Sequence, residues 1–223
     1  MKVFCLLLII SLLPLIKTVF AQEIYYSNTV ITRVGNPQTT SVNFVFYCQA
    51  DPRWVNNCSI GVSGCGPSSI AMIVSSFGLI KTPPEIDAVF QSINPAARAC
   101  GGPSTIPNFF QSNWLESNGF TRANVKLRPG NTLDLEDAQN YLSKGYLILG
   151  SSAIFPCPAS GYCTTPDKGI NHIYVVDQVN ITNNTFRARD PLNCRPERPQ
   201  EVESDNIENN NFPWLYAYAI KKT

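Results

Sequence analysis

Histidine is almost absent from this chain: His172 is the only one in 223 residues. A reaction that needs an imidazole must use it, and metal sites built from several histidines are excluded. No Cys-x-x-Cys pair occurs, so the usual zinc spacings are missing as well. Neither a phosphate-binding glycine loop nor a dinucleotide fingerprint follows any predicted strand. Charge is sparse and balanced. Seventeen basic residues face sixteen acidic ones, which leaves no electrostatic footprint for nucleic acid or an anionic membrane. Internal repeats, heptads and low-complexity blocks are lacking. Past residue 21, no run is apolar for long enough to span a bilayer.

What is present begins with a targeting segment. Lys2 supplies a positive start, Leu6 to Ile16 an apolar core and Val19-Phe20-Ala21 a small-residue cleavage site. Residues 1–21 are therefore expected to be removed, an uncleaved anchor being the alternative. Residues 22–223 are long enough for a single domain with its own core. Sequons at Asn57, Asn180 and Asn183 fit a secreted glycoprotein.

Eight cysteines are encoded, and Cys5 leaves with the targeting segment. Seven remain: Cys48, Cys58, Cys65, Cys100, Cys157, Cys163 and Cys194. An odd number in an oxidising compartment leaves one thiol over, either free or bridged to another chain. Cys157 with Cys163, Cys48 with Cys58 and Cys100 with Cys194 is one of several possible pairings of the other six.

The leftover thiol best suits Cys65, in Ser63-Gly64-Cys65-Gly66-Pro67-Ser68-Ser69. Gly64 and Gly66 remove side-chain bulk on both sides of it, so a substrate backbone can approach. Pro67 suits a first helical position. Ile70, Ile73, Val74 and Phe77 recur at helical spacing, and Gly78 marks the end. A cysteine at a helix N-terminus feels the positive end of the dipole, which favours thiolate. A buried half-cystine in a glycine-rich turn is the alternative.

Along the rest of the chain, residues 23–34 and 42–48 read as strands. Thr82-Pro83-Pro84-Glu85 is a capping box that starts a helix running to Ile93. Ser104 can cap a third helix holding Phe109, Phe110, Trp114 and Leu115, closed by Asn118-Gly119. A fourth is predicted from Leu133 to Ser143, ending at Lys144-Gly145. Strands follow at 146–151, 171–179, 185–190 and 212–220. Helices in the first half and antiparallel strands in the second make the α+β pattern.

If Cys65 needs a base, His172 is the imidazole available. A hairpin joining the strand from His172 to the strand ending at Asp190 brings that carboxylate to the ring, where it can hold the tautomer. Asp177 is the rival. It lies roughly 16 Å along the same strand and on the opposite face, so Asp190 is preferred. The backbone N–H of Cys65 and the side-chain amide of Gln49 are candidate donors to an oxyanion.

Tyr47-Cys48-Gln49-Ala50-Asp51-Pro52-Arg53-Trp54, then Gly61 to Met72, resembles the bacteriocin-processing, double-glycine-peptidase-like branch of the papain-like cysteine peptidases. Lys144-Gly145-Tyr146-Leu147-Ile148 loosely matches that family's later strand motif. His172-Ile173-Tyr174-Val175-Val176 and Asp190-Pro191 match its closing motifs. The likeness covers about residues 44–192. It implies a papain-like fold, with an N-terminal helical lobe packed on a C-terminal antiparallel sheet. It also implies Cys65 as nucleophile, His172 as base, Asp190 as orienting group and Gln49 in the oxyanion hole; the residues themselves give no reason to expect a cofactor or metal. The sequence departs from the family's bacteriocin exporters in having no transporter segments, and its extra cysteines and sequons fit a secretory pathway. The expectation is a secreted, monomeric cysteine hydrolase acting on peptide or protein. A non-catalytic module on the same fold, or an acyltransferase using the same residues, remains open.

Overall fold

The computed structural model describes residues 44–54, 58–95, 106–152, 172–192, 194–195, 198–202 and 206–223. The targeting segment, the strand expected at 23–34, the sequon at Asn57, Ser104, and the loop with Cys157 and Cys163 all lie outside them. The described helices are α1 (Cys58–Ser63), α2 (Cys65–Ser76), α3 (Pro83–Ile93), α4 (Ile106–Gln111), α5 (Trp114–Ser117) and α6 (Leu135–Ser143). The strands are β1 (Phe120–Asn124), β2 (Leu147–Ser152), β3 (His172–Asn180), β4 (Thr185–Arg189), β5 (Cys194–Arg195), β6 (Arg198–Val202), β7 (Asn206–Asn209) and β8 (Trp214–Lys222). Six strands form one sheet in the order β1-β8-β2-β3-β4-β7, antiparallel throughout; β5 and β6 pair separately. The fold class is mixed helix and antiparallel sheet. No helix of the described residues is long and apolar enough to cross a membrane.

Local signals set several of these elements. At the start of α3, Thr82 and Glu85 form the reciprocal capping box, and Pro83 and Pro84 occupy first-turn positions where a missing N–H costs nothing. Asp134 caps α6 by accepting from the backbone N–H groups of Glu136 and Asp137. Helix α6 thus begins at Leu135, two residues later than expected. Gly119 and Gly145, at φ of 77° and 89°, end α5 and α6 in the left-handed region that glycine tolerates. The single helix expected across Phe109 and Trp114 is instead two short ones. Asn113 is left-handed at φ 57° and breaks it. Residues 44–48 run as buried extended chain with one bridge at Val45, not as the full strand predicted.

The sheet is buried on both faces. One core gathers Ile70, Met72 and Ile73 of α2, Ile86 and Phe90 of α3, and Leu147, Leu149, Ile173 and Val175 from the sheet. The other gathers Leu135, Ala138 and Leu142 of α6 with Ile148, Tyr174, Val176 and Trp214. Alternate strand residues serve opposite cores, as the pleat requires. Helix α6 therefore lies across the sheet from α2 and α3, an arrangement beyond the helical-lobe-on-sheet expectation. Helix α2 is buried all round from Gly66 to Ser75, although its periodicity suggested one apolar face. Two of its serines are satisfied inside that burial, whereas the Ser68 hydroxyl is buried without a partner among the described residues. Ser69 donates to the Ile173 carbonyl at 3.1 Å, and Ser75 bonds both the N–H and the carbonyl of Lys81.

Candidate active site

Four predicted residues converge where α2 begins and β3 begins. Cys65 is the first residue of α2, after Gly64 as its N-cap. Pro67 is then third in the helix, not first, and still within the turn whose N–H groups have no intrahelical acceptor. Helix α1 leads directly into it, where only a loop was expected. The reason for Gly64 also changes. A Cβ there would overlap the Ile60 carbonyl, so glycine lets α1 and α2 meet backbone to backbone. The Ser69–Ile173 bond anchors α2 one turn past Cys65 and one residue past His172. Two otherwise independent elements are thereby held in register.

Cys65 is a partly exposed free thiol, whereas Cys48 is disulfide-bonded. The side chain of Cys58 and those that the other two expected bridges need lie outside the described residues. Burial of the thiol acts to raise its pKa. The hydrogen bond to His172, the charge on that ring and backbone donors at Ile173 and Gly66 outweigh it, and the thiol is held below its ordinary 9.0. Desolvation likewise acts to lower the pKa of buried His172. The Asp190 carboxylate and the Cys65 thiolate reverse that and push the imidazole up to about 10. Both shifts favour the thiolate–imidazolium form of the pair.

Asp190 is fully buried and receives His172 Nε2 at 2.5 Å on Oδ1, which also accepts the Leu192 N–H at 2.8 Å. Asp177, the rejected rival, is on the other face of β3, paired with Arg187 and Arg189. Gln49 is buried beside these groups. Its N–H donates to the Pro191 carbonyl at 2.8 Å, next to Asp190, and its Nε2 to the Gly61 carbonyl of α1 at 3.3 Å. Asp51 accepts from the N–H and guanidinium of Arg53, and Trp54 Nε1 donates to the Cys48 carbonyl; these bonds close the turn carrying Gln49.

Sequence reasoning missed the tyrosines around the pair. Tyr216 on β8 hydrogen-bonds Ser151 and lies close enough to Cys65 for the thiolate to add to the rise that burial imposes on its phenol. Tyr174 sits under His172, ring centroids 6.1 Å apart, and packs edge-on to Trp214 at 5.5 Å. Burial, more than the nearby Asp190 charge, drives its pKa well above ordinary. Both phenols stay neutral while the pair titrates. Alternation along β3 and β8 was the available signal, but it does not tell which face meets the cysteine. No group of three or more His, Cys, Asp or Glu side chains among the described residues is placed to hold a metal.

No family model matches the chain, and no curated protein matches it. Among solved structures, it is similar to a chain from Bacillus anthracis described as a C39-like peptidase, with a TM-score of 0.44 and 16% identity over 72% of this chain and 89% of that one.

Proposed function

We propose that this chain is a secreted cysteine hydrolase that cleaves amide bonds, most simply those of peptides. The observation that carries the reading is the unbroken contact from a partly exposed thiol at a helix N-terminus, through a buried imidazole, to a buried carboxylate. A thiolate is the reactive form of cysteine, and the imidazole and backbone donors around Cys65 favour it.

In this reading, Cys65 Sγ attacks the scissile carbonyl carbon, forming the C–S bond as the carbonyl pair moves onto oxygen. The N–H of Cys65 and the Gln49 amide stabilise that oxyanion. The C–N bond then breaks while the imidazolium gives its proton to the departing amine. A water, deprotonated by His172, attacks the thioester and releases the acid and the thiolate. Asp190 holds the ring throughout. The arrangement supports the papain-like architecture implied by the motifs around Gln49, Cys65, His172 and Asp190. Residues 1–21 act as a cleaved leader, the remaining cysteines bridge in pairs, and Asn183, exposed on the β3–β4 turn, suits glycosylation.

Iodoacetamide treatment of the purified protein, followed by peptide mapping, tests the chemistry. Selective alkylation of Cys65 at pH 6, much slowed in His172→Ala, supports it. An inert Cys65 sinks it. Digestion of a peptide library by the same preparation then separates a hydrolase from a module that only binds.

A further inference from the structure

The β3–β4 hairpin is not regular. Asn180 pairs with Thr185, Val179 with Phe186 and Gln178 with Arg187, but the register then shifts, so that Val176 meets Ala188 and Val175 meets Arg189. Asp177 is the extra residue of a β-bulge. The core on the α6 side shows the same break, since it takes Val176 and Val179, three residues apart, where regular alternation would separate them.

This shift decides where Asp190 points. Continued from Val175–Arg189, the register sets Asp190 opposite Tyr174, on the face that His172 shares. Continued unshifted from the turn, it would set Asp190 opposite Val175, on the other face. A one-residue slip reverses every side chain of a strand, so a hairpin without the bulge would turn this carboxylate away from the ring.

Something must hold the irregularity, and a buried ion cluster lies on it. Asp177, fully buried at the bulge, accepts from Arg187 Nε at 2.7 Å and Nη2 at 3.0 Å, and from Arg189 Nε at 2.7 Å. Both arginines are buried, and that of Arg189 stacks over Phe44 at 5.5 Å. The two guanidiniums come from β4 on either side of Ala188, where the pairing resumes. Re-registering the hairpin would carry Asp177 away from them and leave buried charges mismatched.

We propose that Asp177, Arg187 and Arg189 are positioning residues, whose buried ion cluster holds the bulge that turns Asp190 onto the face of His172. This role rests on the reading of Cys65 and His172 as a reactive pair. Among the described residues, the titratable groups facing that pair are Asp190, Tyr174 and Tyr216, and both tyrosines remain neutral.

The test is the pH dependence of Cys65 alkylation by iodoacetamide in folded protein, with near-UV circular dichroism as the check on structure. Asp190→Asn is expected to raise the midpoint pH. Asp177→Asn should raise it in the same direction, slowing alkylation at pH 6 by about tenfold. The double variant should be no slower than Asp190→Asn alone, since both changes break one linkage. Arg187→Lys, which keeps the charge but loses the fork, should show the same shift and serves if Asp177→Asn does not fold. A folded Asp177→Asn protein with an unmoved midpoint overturns the positioning role, whatever it does to stability. Cross-strand amide contacts in the wild-type protein provide a separate check: Val176 with Ala188 supports the bulge, and Asp177 with Ala188 overturns it. A wild-type Cys65 that resists alkylation defeats the reading of the site and this role with it.

Discussion

His172 Nε2 and Asp190 Oδ1 lie 2.5 Å apart, both buried, and the same carboxylate oxygen takes the Leu192 N–H. The ring cannot rotate without breaking that bond, so its other nitrogen stays directed at Cys65. Substituting His172 by alanine strands the buried Asp190 carboxylate and so lowers stability. In the folded variant it should lower kcat on a cleavable peptide by about 10²- to 10⁴-fold, the usual share of a positioned acid–base group. Steady-state kinetics checks this. A variant that retains wild-type kcat refutes the assigned base.

The pH dependence of stability carries a second expectation. His172 titrates at about 10 in the folded chain against an ordinary 6.5, so the folded state holds the extra proton between those values. That contribution is complete below about 6.5 and is lost as pH rises toward 10. Cys65 runs the other way: lowered from 9.0, its contribution is present above that value and is lost as pH falls through the folded pKa. Where the windows overlap they cancel, because a proton has moved from thiol to ring with no change in the number bound. Cys65→Ala removes one half. Urea denaturation of that variant should therefore show stability falling more steeply just below pH 9 than in wild type, and parallel curves there would contradict it.

Gln49 is tied by its N–H to the Pro191 carbonyl and by its Nε2 to the Gly61 carbonyl. Its backbone bond survives truncation of the side chain, so Gln49→Ala should fold normally. Loss of an oxyanion donor costs about 10²- to 10³-fold in kcat with little change in KM. A change confined to KM would mark Gln49 as a binding residue instead.

Gly64 is a packing requirement. A methyl there collides with the Ile60 carbonyl, which is backbone and cannot swing aside. Gly64→Ala should destabilise the fold by about 1–3 kcal/mol, as overpacking does, and slow Cys65 alkylation by displacing the start of α2. Chemical denaturation and alkylation rates measure the two effects. An unchanged midpoint would show that α1 can move away freely.

Much of this was local and therefore readable. The Thr82–Glu85 capping box, the glycines that end α5 and α6, and the Asn-rich turn between β3 and β4 depend on a few neighbouring residues, whose backbone needs are the same in any fold. The lone histidine and the odd cysteine pointed to one reactive pair by simple scarcity. Apolar periodicity located α2 but not its full burial, since that depends on which elements surround it.

The sequence by itself thus singled out the candidate side chains for chemistry and most of the elements that carry them. Tertiary structure alone decided that α6 crosses to the far face, that Gly64 serves α1, and that Asp177 binds two arginines. It also decided how Asp190 reaches the ring. Hairpin ends meet in any register, but the face depends on a single extra residue at Asp177, held by Arg187 and Arg189 from the next strand. Register is a long-range property. It is set by partners that no local pattern identifies, and a change of one residue in it reverses which way a carboxylate points.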